Sequence, residues 1–297
     1  MRRAAMDWLE QRTASDQGFH PFRRDELRGG FALEGQPLPL VAPQQGIWKP
    51  AVLDAALSIC TTYTSPGQAA PYQDVPGADG LLRYKYRGQD PGHAENRALR
   101  AAMAHSLPLI WFLGVAPGLY EAIRPVWLIA EEAAQCQFVV AVDEAQRRIL
   151  PGGEASVDAR RYAERLTRQR VHQPLFRSQV ISAYEQSCAM CHLKYVGLLD
   201  AAHILRDGHP RGDPVVPNGL SLCKIHHAAF DQNLIGVHPY NLRVEVRPDV
   251  REQHDGPMLR HGLQEMQGVA LEVPRSRLAR PDTERLAERW KEFQAVG

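Results

Sequence analysis

Two short pairs of soft metal ligands stand out in the chain: Cys188-x-x-Cys191, and Cys223-x-x-His226, which begins 32 positions after the first pair ends. Thiolate and imidazole at two-residue gaps suit a closed tetrahedral Zn²⁺ site, because one tight turn presents both members of a pair to one point. His192 competes as fourth ligand, but it adjoins Cys191, where the bite would be strained. With all four positions filled, the ion would be structural. The segment between the pairs holds few large apolar groups, so metal binding would provide much of its stability. The alternative is a chance grouping of cysteines beside exposed histidines, which a lone C-x-x-C would leave open and the second pair argues against.

More polar groups occupy the same region. His227 and Asp231 are four apart on an expected helix, so they share a face and can bind one divalent ion. His226, about 100° round that helix, faces the zinc instead. His203 lies upstream, and histidine is the side chain whose unperturbed pKa suits a general base near neutrality. Placing these groups requires a strand, a loop, a second strand and a helix. LLDAAHI reads as the first strand, RDGHPRGDPVVP as the loop, Asn218–Leu222 as the second strand and Cys223–Gln232 as the helix.

The run DAAHI…NGLSLC-x-x-HHAAFD resembles the HNH, or ββα-metal, nucleases over about 55 residues, with His203, Asn218 and His227 at the namesake positions. The resemblance implies hydrolysis of phosphodiesters in double-stranded DNA with one Mg²⁺ or Mn²⁺ ion and 5′-phosphate products. His203 would be the base, Asn218 would pin the loop that orients it, and His227 and Asp231 would hold the ion. Many family members carry a ligand immediately before the base, where this chain has Ala202. Asp200 could substitute as ligand, or it could orient the site by hydrogen bonds. On a flat strand residues three apart face opposite ways, so ligation would need a bulge or the strand's end.

The upstream region alternates short apolar runs with Pro and Gly breaks, and includes the strand-like LPLIWFLG, PVWLI and CQFVVAVD and the helical AENRALRAAMAHS. Strands around one helix predict a curved mixed sheet or small barrel. Tyr84 and Tyr86 are two apart and could be one face of an ordinary strand. The order ALSI, PYQDV, YKYRG, NRALRAA, PLIWFLG, PVWLI resembles the SET-and-RING-associated (SRA) domain, a PUA-like fold, over about 90 residues. That resemblance implies a pocket that flips a modified cytosine out of the duplex, with Tyr72 and Tyr86 sandwiching the base and Asp74 reading its edge. Arg87 stands where that family prefers a small hydroxyl residue.

The expected architecture is therefore α+β: an SRA-like domain over 1–145, a linker over 146–160 around Pro151-Gly152-Gly153, and an HNH domain over 161–297 with its core at 184–236. Together these resemble the modification-dependent restriction endonucleases, which implies a type IV-like enzyme reading 5-methylcytosine. Alternatives are an HNH endonuclease reading another mark or an unmodified sequence, and a zinc-stapled DNA-binding module without catalysis. One HNH site cuts one strand, so a homodimer is expected for double-strand breaks.

Composition adds bounds. The net charge is only +1, but Arg160 to Arg177 gathers six arginines, either a phosphate-facing stripe or a solvated helix face. Five cysteines, three of them in the metal cluster, are no disulfide framework and point to a reducing bacterial cytoplasm; Cys60 and Cys136 sit in apolar surroundings. No apolar run is long enough to span a membrane, and Asp7, Glu10 and Asp16 interrupt the start where an export signal would be apolar.

Overall fold

A computed structural model describes residues 1–16, 19–64, 77, 79–148 and 157–296, the side chain of 159 excepted. Tyr72 and Asp74 lie outside the described residues. The chain forms two compact units, Met1–Leu175 and Phe176–Gly297.

The first unit contains α1 (Arg2–Ser15), β1 (Phe22–Arg23), α2 (Arg24–Gly29), β2 (Phe31–Leu33), β3 (Gln36–Leu38), β4 (Ile47–Trp48), β5 (Ser58–Thr61), β6 (Leu82–Lys85), α3 (Ala94–Ala104), β7 (Leu109–Ala116), β8 (Leu119–Glu132), β9 (Gln137–Ala141) and α4 (Val157–Thr167). Its main sheet runs β4-β5-β7-β8-β9-β6, with β1 paired to β8. Among the described residues only β5 and β7 are parallel neighbours in it. The long β8 pairs with β7 up to Val126 and with β9 from Trp127 onward, so one strand changes partner along its length and the sheet curls.

The apolar run of β7 follows from burial on both faces. Leu109, Trp111 and Leu113 join one core cluster, with Tyr84, Tyr86, Phe138 and the α3 residues Ala98 and Leu99. Ile110 and Phe112 join the other, with Ala5 and Leu9 of α1. Alternating side chains reach opposite sides, so a strand covered on both sides reads as continuously apolar. The mixed α+β character and curled sheet agree with the expectation from sequence.

Helix α4 is held by the first unit. The buried Gln146 donates to the Ala163 carbonyl at 2.9 Å and to the Thr167 hydroxyl at 3.1 Å, and Ala163 packs on Leu81 and Val139. The divide between the units therefore falls at 175/176, beyond the 146–160 stretch.

A π-helical turn at Arg168–His172 leads into α5 (Gln173–Ala183). The second unit continues with β10 (Leu199–His203), β11 (Gly219–Cys223), α6 (Lys224–Asp231), β12 (Ile235–Val237), β13 (Val244–Val246), α7 (Pro248–Glu252), α8 (Pro257–Gly262) and α9 (Thr283–Val296). Strands β10 and β11 are antiparallel, with His203 opposite Gly219 and Leu199 opposite Cys223. This is the strand, loop, strand, helix order expected from the sequence. Among the described residues no helix is long and apolar enough to cross a membrane.

Candidate active site and metal clip

The hairpin and the helix that follows it carry two polar centres. At the β11–α6 junction, Cys188, Cys191, Cys223 and His226 place one ligand atom each within 4.8 Å of all the others. His226 Nδ1 stands 3.4 Å from Cys188 Sγ and 3.3 Å from Cys223 Sγ, and Cys191 Sγ is 4.0 Å from Cys223 Sγ. A tetrahedral ion with bonds of about 2.0–2.3 Å would set these edges at roughly 3.5–3.8 Å, so the donor set fits such an ion. His226 Nε2 lies 2.8 Å from the Gly262 carbonyl, which fixes its proton there and leaves Nδ1 free to ligate. His192 turns away to pair with Glu272 at 2.7 Å. It is not part of the cluster.

The second centre surrounds His203 at the end of β10. Its ring stacks on Phe176 of α5 with centroids 4.2 Å apart and planes at 25°. That approach depends on Gly219 across the hairpin: a Cβ there would lie 2.4 Å from Val180 Cγ2 and 2.9 Å from Phe176 Cζ. Burial first, and the His227 charge with it, lower the pKa of His203 below 6.5, outweighing Asp207 and Asp231. The imidazole is thus held neutral, the form that accepts a proton.

Asn218 is fully buried. Its amide donates to the carbonyls of Leu205 and Asp213 at 3.0 and 3.1 Å, and its Oδ1 accepts from the Leu205 amide at 3.0 Å. These bonds close the loop that leaves His203.

His227 lies between two carboxylates. Nδ1 is 3.6 Å from Asp200 Oδ2 and Nε2 is 3.3 Å from Asp231 Oδ2, and the two hold its pKa up at about 9. The Nε2–Asp231 separation suits two ligands of one ion with bonds near 2.1 Å. Asp200 sits across the ring at the other nitrogen, so the three groups as placed do not converge on one point. Asp200 also accepts from Lys224 Nζ at 2.8 Å and lies 3.6 Å from Arg177 Nε, and its pKa falls well below the usual carboxylate range despite burial. Ala202 is fully buried and offers no ligand.

Sequence reasoning missed Phe176, Lys224 and Arg177 as neighbours of this centre. Arg177 was visible only as the end of the arginine-rich run. Within that run Arg170 pairs with Asp143 at 2.8 Å, and Arg177 donates to the Leu199 carbonyl at 3.0 Å.

In the first unit, Tyr86 and Arg87 line a cleft with Gly46, Ile47, Cys60, Thr61, Tyr84 and Lys85, with a cavity volume of about 80 Å³. Tyr86 is only 2% exposed. Its ring lies 5.1 Å from that of Phe138 and its hydroxyl donates to Glu131. Arg87 pairs with Glu95.

The hairpin, the helix and the two centres define an HNH endonuclease domain: residues 188–238 match the family described as HNH endonuclease. The protein is accordingly a DNA-cleaving hydrolase. Its chain is similar to the solved structure of the modification-dependent restriction endonuclease TagI, at 16% identity and a TM-score of 0.31 over 92% of this chain and 91% of that one. It is also similar to the type IV phosphorothioation-dependent restriction endonuclease ScoMcrA, at 13% identity and a TM-score of 0.22 over 85% of this chain and 53% of that one. No curated protein matches the chain.

Proposed function

We propose that the protein is a modification-dependent restriction endonuclease whose first unit reads a modified base in double-stranded DNA, with 5-methylcytosine the leading candidate. Its second unit then hydrolyses nearby phosphodiesters. The observation that carries the catalytic half is a half-buried His203, stacked on Phe176, on the hairpin that leads into the helix carrying the His227–Asp231 pair. In this reading His203 takes the proton from the attacking water. Asn218 holds the loop that sets the histidine. His227, once it gives up its proton, and Asp231 would hold a Mg²⁺ or Mn²⁺ ion, and Asp200 would either join them after the ring turns or orient His227 from its far side. When bound, that ion supplies positive charge for the phosphate and the leaving oxygen. Cys188, Cys191, Cys223 and His226 would hold a structural Zn²⁺.

For base reading, the support is the order of segments in the first unit together with the cleft beside Tyr86 and Arg87. Tyr72 and Asp74 are the remaining members of the proposed pocket. Five cysteines without a disulfide among them suit a reducing bacterial cytoplasm. Two copies, as a homodimer or converging on one site, would supply the two cuts of a double-strand break.

A second reading, recognition of another mark or of an unmodified sequence, is favoured by the burial of the Tyr86 ring and the engagement of its hydroxyl. Digestion of matched plasmids with and without 5-methylcytosine separates the two. Preferential cutting of the methylated plasmid supports the first reading, and equal cutting of both sinks it.

A further inference from the structure

Helix α9 begins more than forty residues beyond the matched segment 188–238, yet it reaches both sides of the active centre. Arg289 is only 4% exposed. Its Nη2 donates to the Phe230 carbonyl at 2.5 Å and the Asp231 carbonyl at 3.4 Å, and its guanidinium lies 4.9 Å from the centre of the Phe230 ring. Glu292, one turn along, pairs with the same guanidinium at 2.6 Å. Phe230 and Asp231 are the last two residues of α6, where the helix end is negative; the Phe230 carbonyl accepts from the Asn233 amide at 3.1 Å as well as from Arg289. Arg206, just beyond β10, donates to the same Asp231 carbonyl at 3.0 Å.

The earlier turns of α9 hold the loop between β10 and β11. Glu288 lies 3.1 Å from His209, Glu284 lies 3.2 Å from Arg211, and Arg285 lies 3.6 Å from Asp213. One helix therefore grips the loop that leaves His203 and the end of the helix that carries His227.

We infer that Arg289 is a positioning residue for the catalytic ion. By clamping the last two carbonyls of α6 it fixes the backbone of Asp231, and so where that carboxylate stands against His227 Nε2. The inference rests on the proposed reading that His227 and Asp231 hold the ion. Groups that orient metal ligands typically govern affinity by about 10–100-fold when removed.

The test is direct Mn²⁺ titration of the full-length, zinc-loaded protein by electron paramagnetic resonance, with no DNA present. Wild type should bind Mn²⁺ at a site that Asp231→Ala and His227→Ala abolish. Arg289→Met should weaken that site about tenfold at unchanged zinc content, and Arg289→Lys, which keeps the charge but not the two-carbonyl grip, should fall between. A merely structural arginine would lower the melting temperature without moving Mn²⁺ affinity in the folded fraction. Unchanged affinity in both arginine variants overturns the inference. If Arg289→Met does not fold, Arg289→Lys decides alone. If Asp231→Ala and His227→Ala still bind Mn²⁺, the proposed ion site itself is wrong, an outcome distinct from failure at Arg289.

Discussion

Replacing Asn218 by alanine should free the loop that follows His203, and the cost can be worked from its bonds. The side chain serves three backbone groups: the amide and carbonyl of Leu205 and the carbonyl of Asp213. Leu205 is 1% exposed, so its two groups would be stranded away from water. Asp213 is exposed and its carbonyl can turn to solvent. A stranded buried group costs about 1–3 kcal/mol, so two of them put the loss at roughly 2–6 kcal/mol. At about 1.4 kcal/mol per decade, even the lower bound speeds local opening some thirtyfold. Hydrogen exchange of the Leu205 amide in the full-length chain reads this directly. Asn218→Asp is the internal control: it restores the acceptor but turns both donations into oxygen facing carbonyl, so it should protect Leu205 no better than alanine does. Exchange within threefold of wild type in Asn218→Ala would refute the reasoning.

Other expectations follow from the same physics. Phe176→Leu should admit water to His203 and raise its pKa toward the ordinary value, moving the acid limb of the cleavage profile to higher pH; an unmoved limb would show that the stacked ring does not set it. Cys188→Ser should lower tightly held zinc from about one per chain, with loss of the second unit's thermal transition; normal folding without zinc would defeat the clip. In the first unit, Arg83 joins Asp79 at 2.8 Å and Glu132 at 2.7 Å, and both carboxyls are held below their usual pKa range. Their folded pKa values lie below the unfolded ones, so this stabilisation is present at neutral pH and is lost as pH falls through the native values. Arg83→Met should therefore cost about 3–5 kcal/mol at pH 7. Urea unfolding should show that deficit shrinking near pH 3, and a deficit independent of pH would count against it.

What could be read in the sequence was mostly local. The two ligand pairs announced the clip because each pair lies within a turn of chain, and His227 and Asp231 announced a shared face by helical spacing. LPLIWFLG read as a strand because both of its faces are covered. Strand β8 was legible only from Pro125 onward, since its first half is set by β7 and its second by β9, partners that spacing does not reveal. Asp200 stayed ambiguous for a related reason: its position across the imidazole from Asp231 is set by how α6 lies on the hairpin. The Phe176 stack and the reach of Arg289 join residues far apart in sequence whose types are unremarkable alone. Tyr86 shows the converse case. A strand residue that alternation assigns to the core and resemblance assigns to a ligand wall lines a cleft while its ring stays packed on Phe138.

The close contact across the hairpin at Gly219 links positions 176, 180 and 219 into one steric unit. A single added methyl would meet Val180 at 2.4 Å, and because interiors are close-packed the displacement would pass to α5 and the ring that covers His203. Variation at 219 is therefore constrained jointly with variation at 176 and 180: Gly219→Ala alone should unseat the stack, and adding Val180→Ala should relieve only part of the clash, because the new methyl also lies 2.9 Å from Phe176 Cζ. Among relatives of this chain, bulk at one of these positions should be matched by smallness at the others.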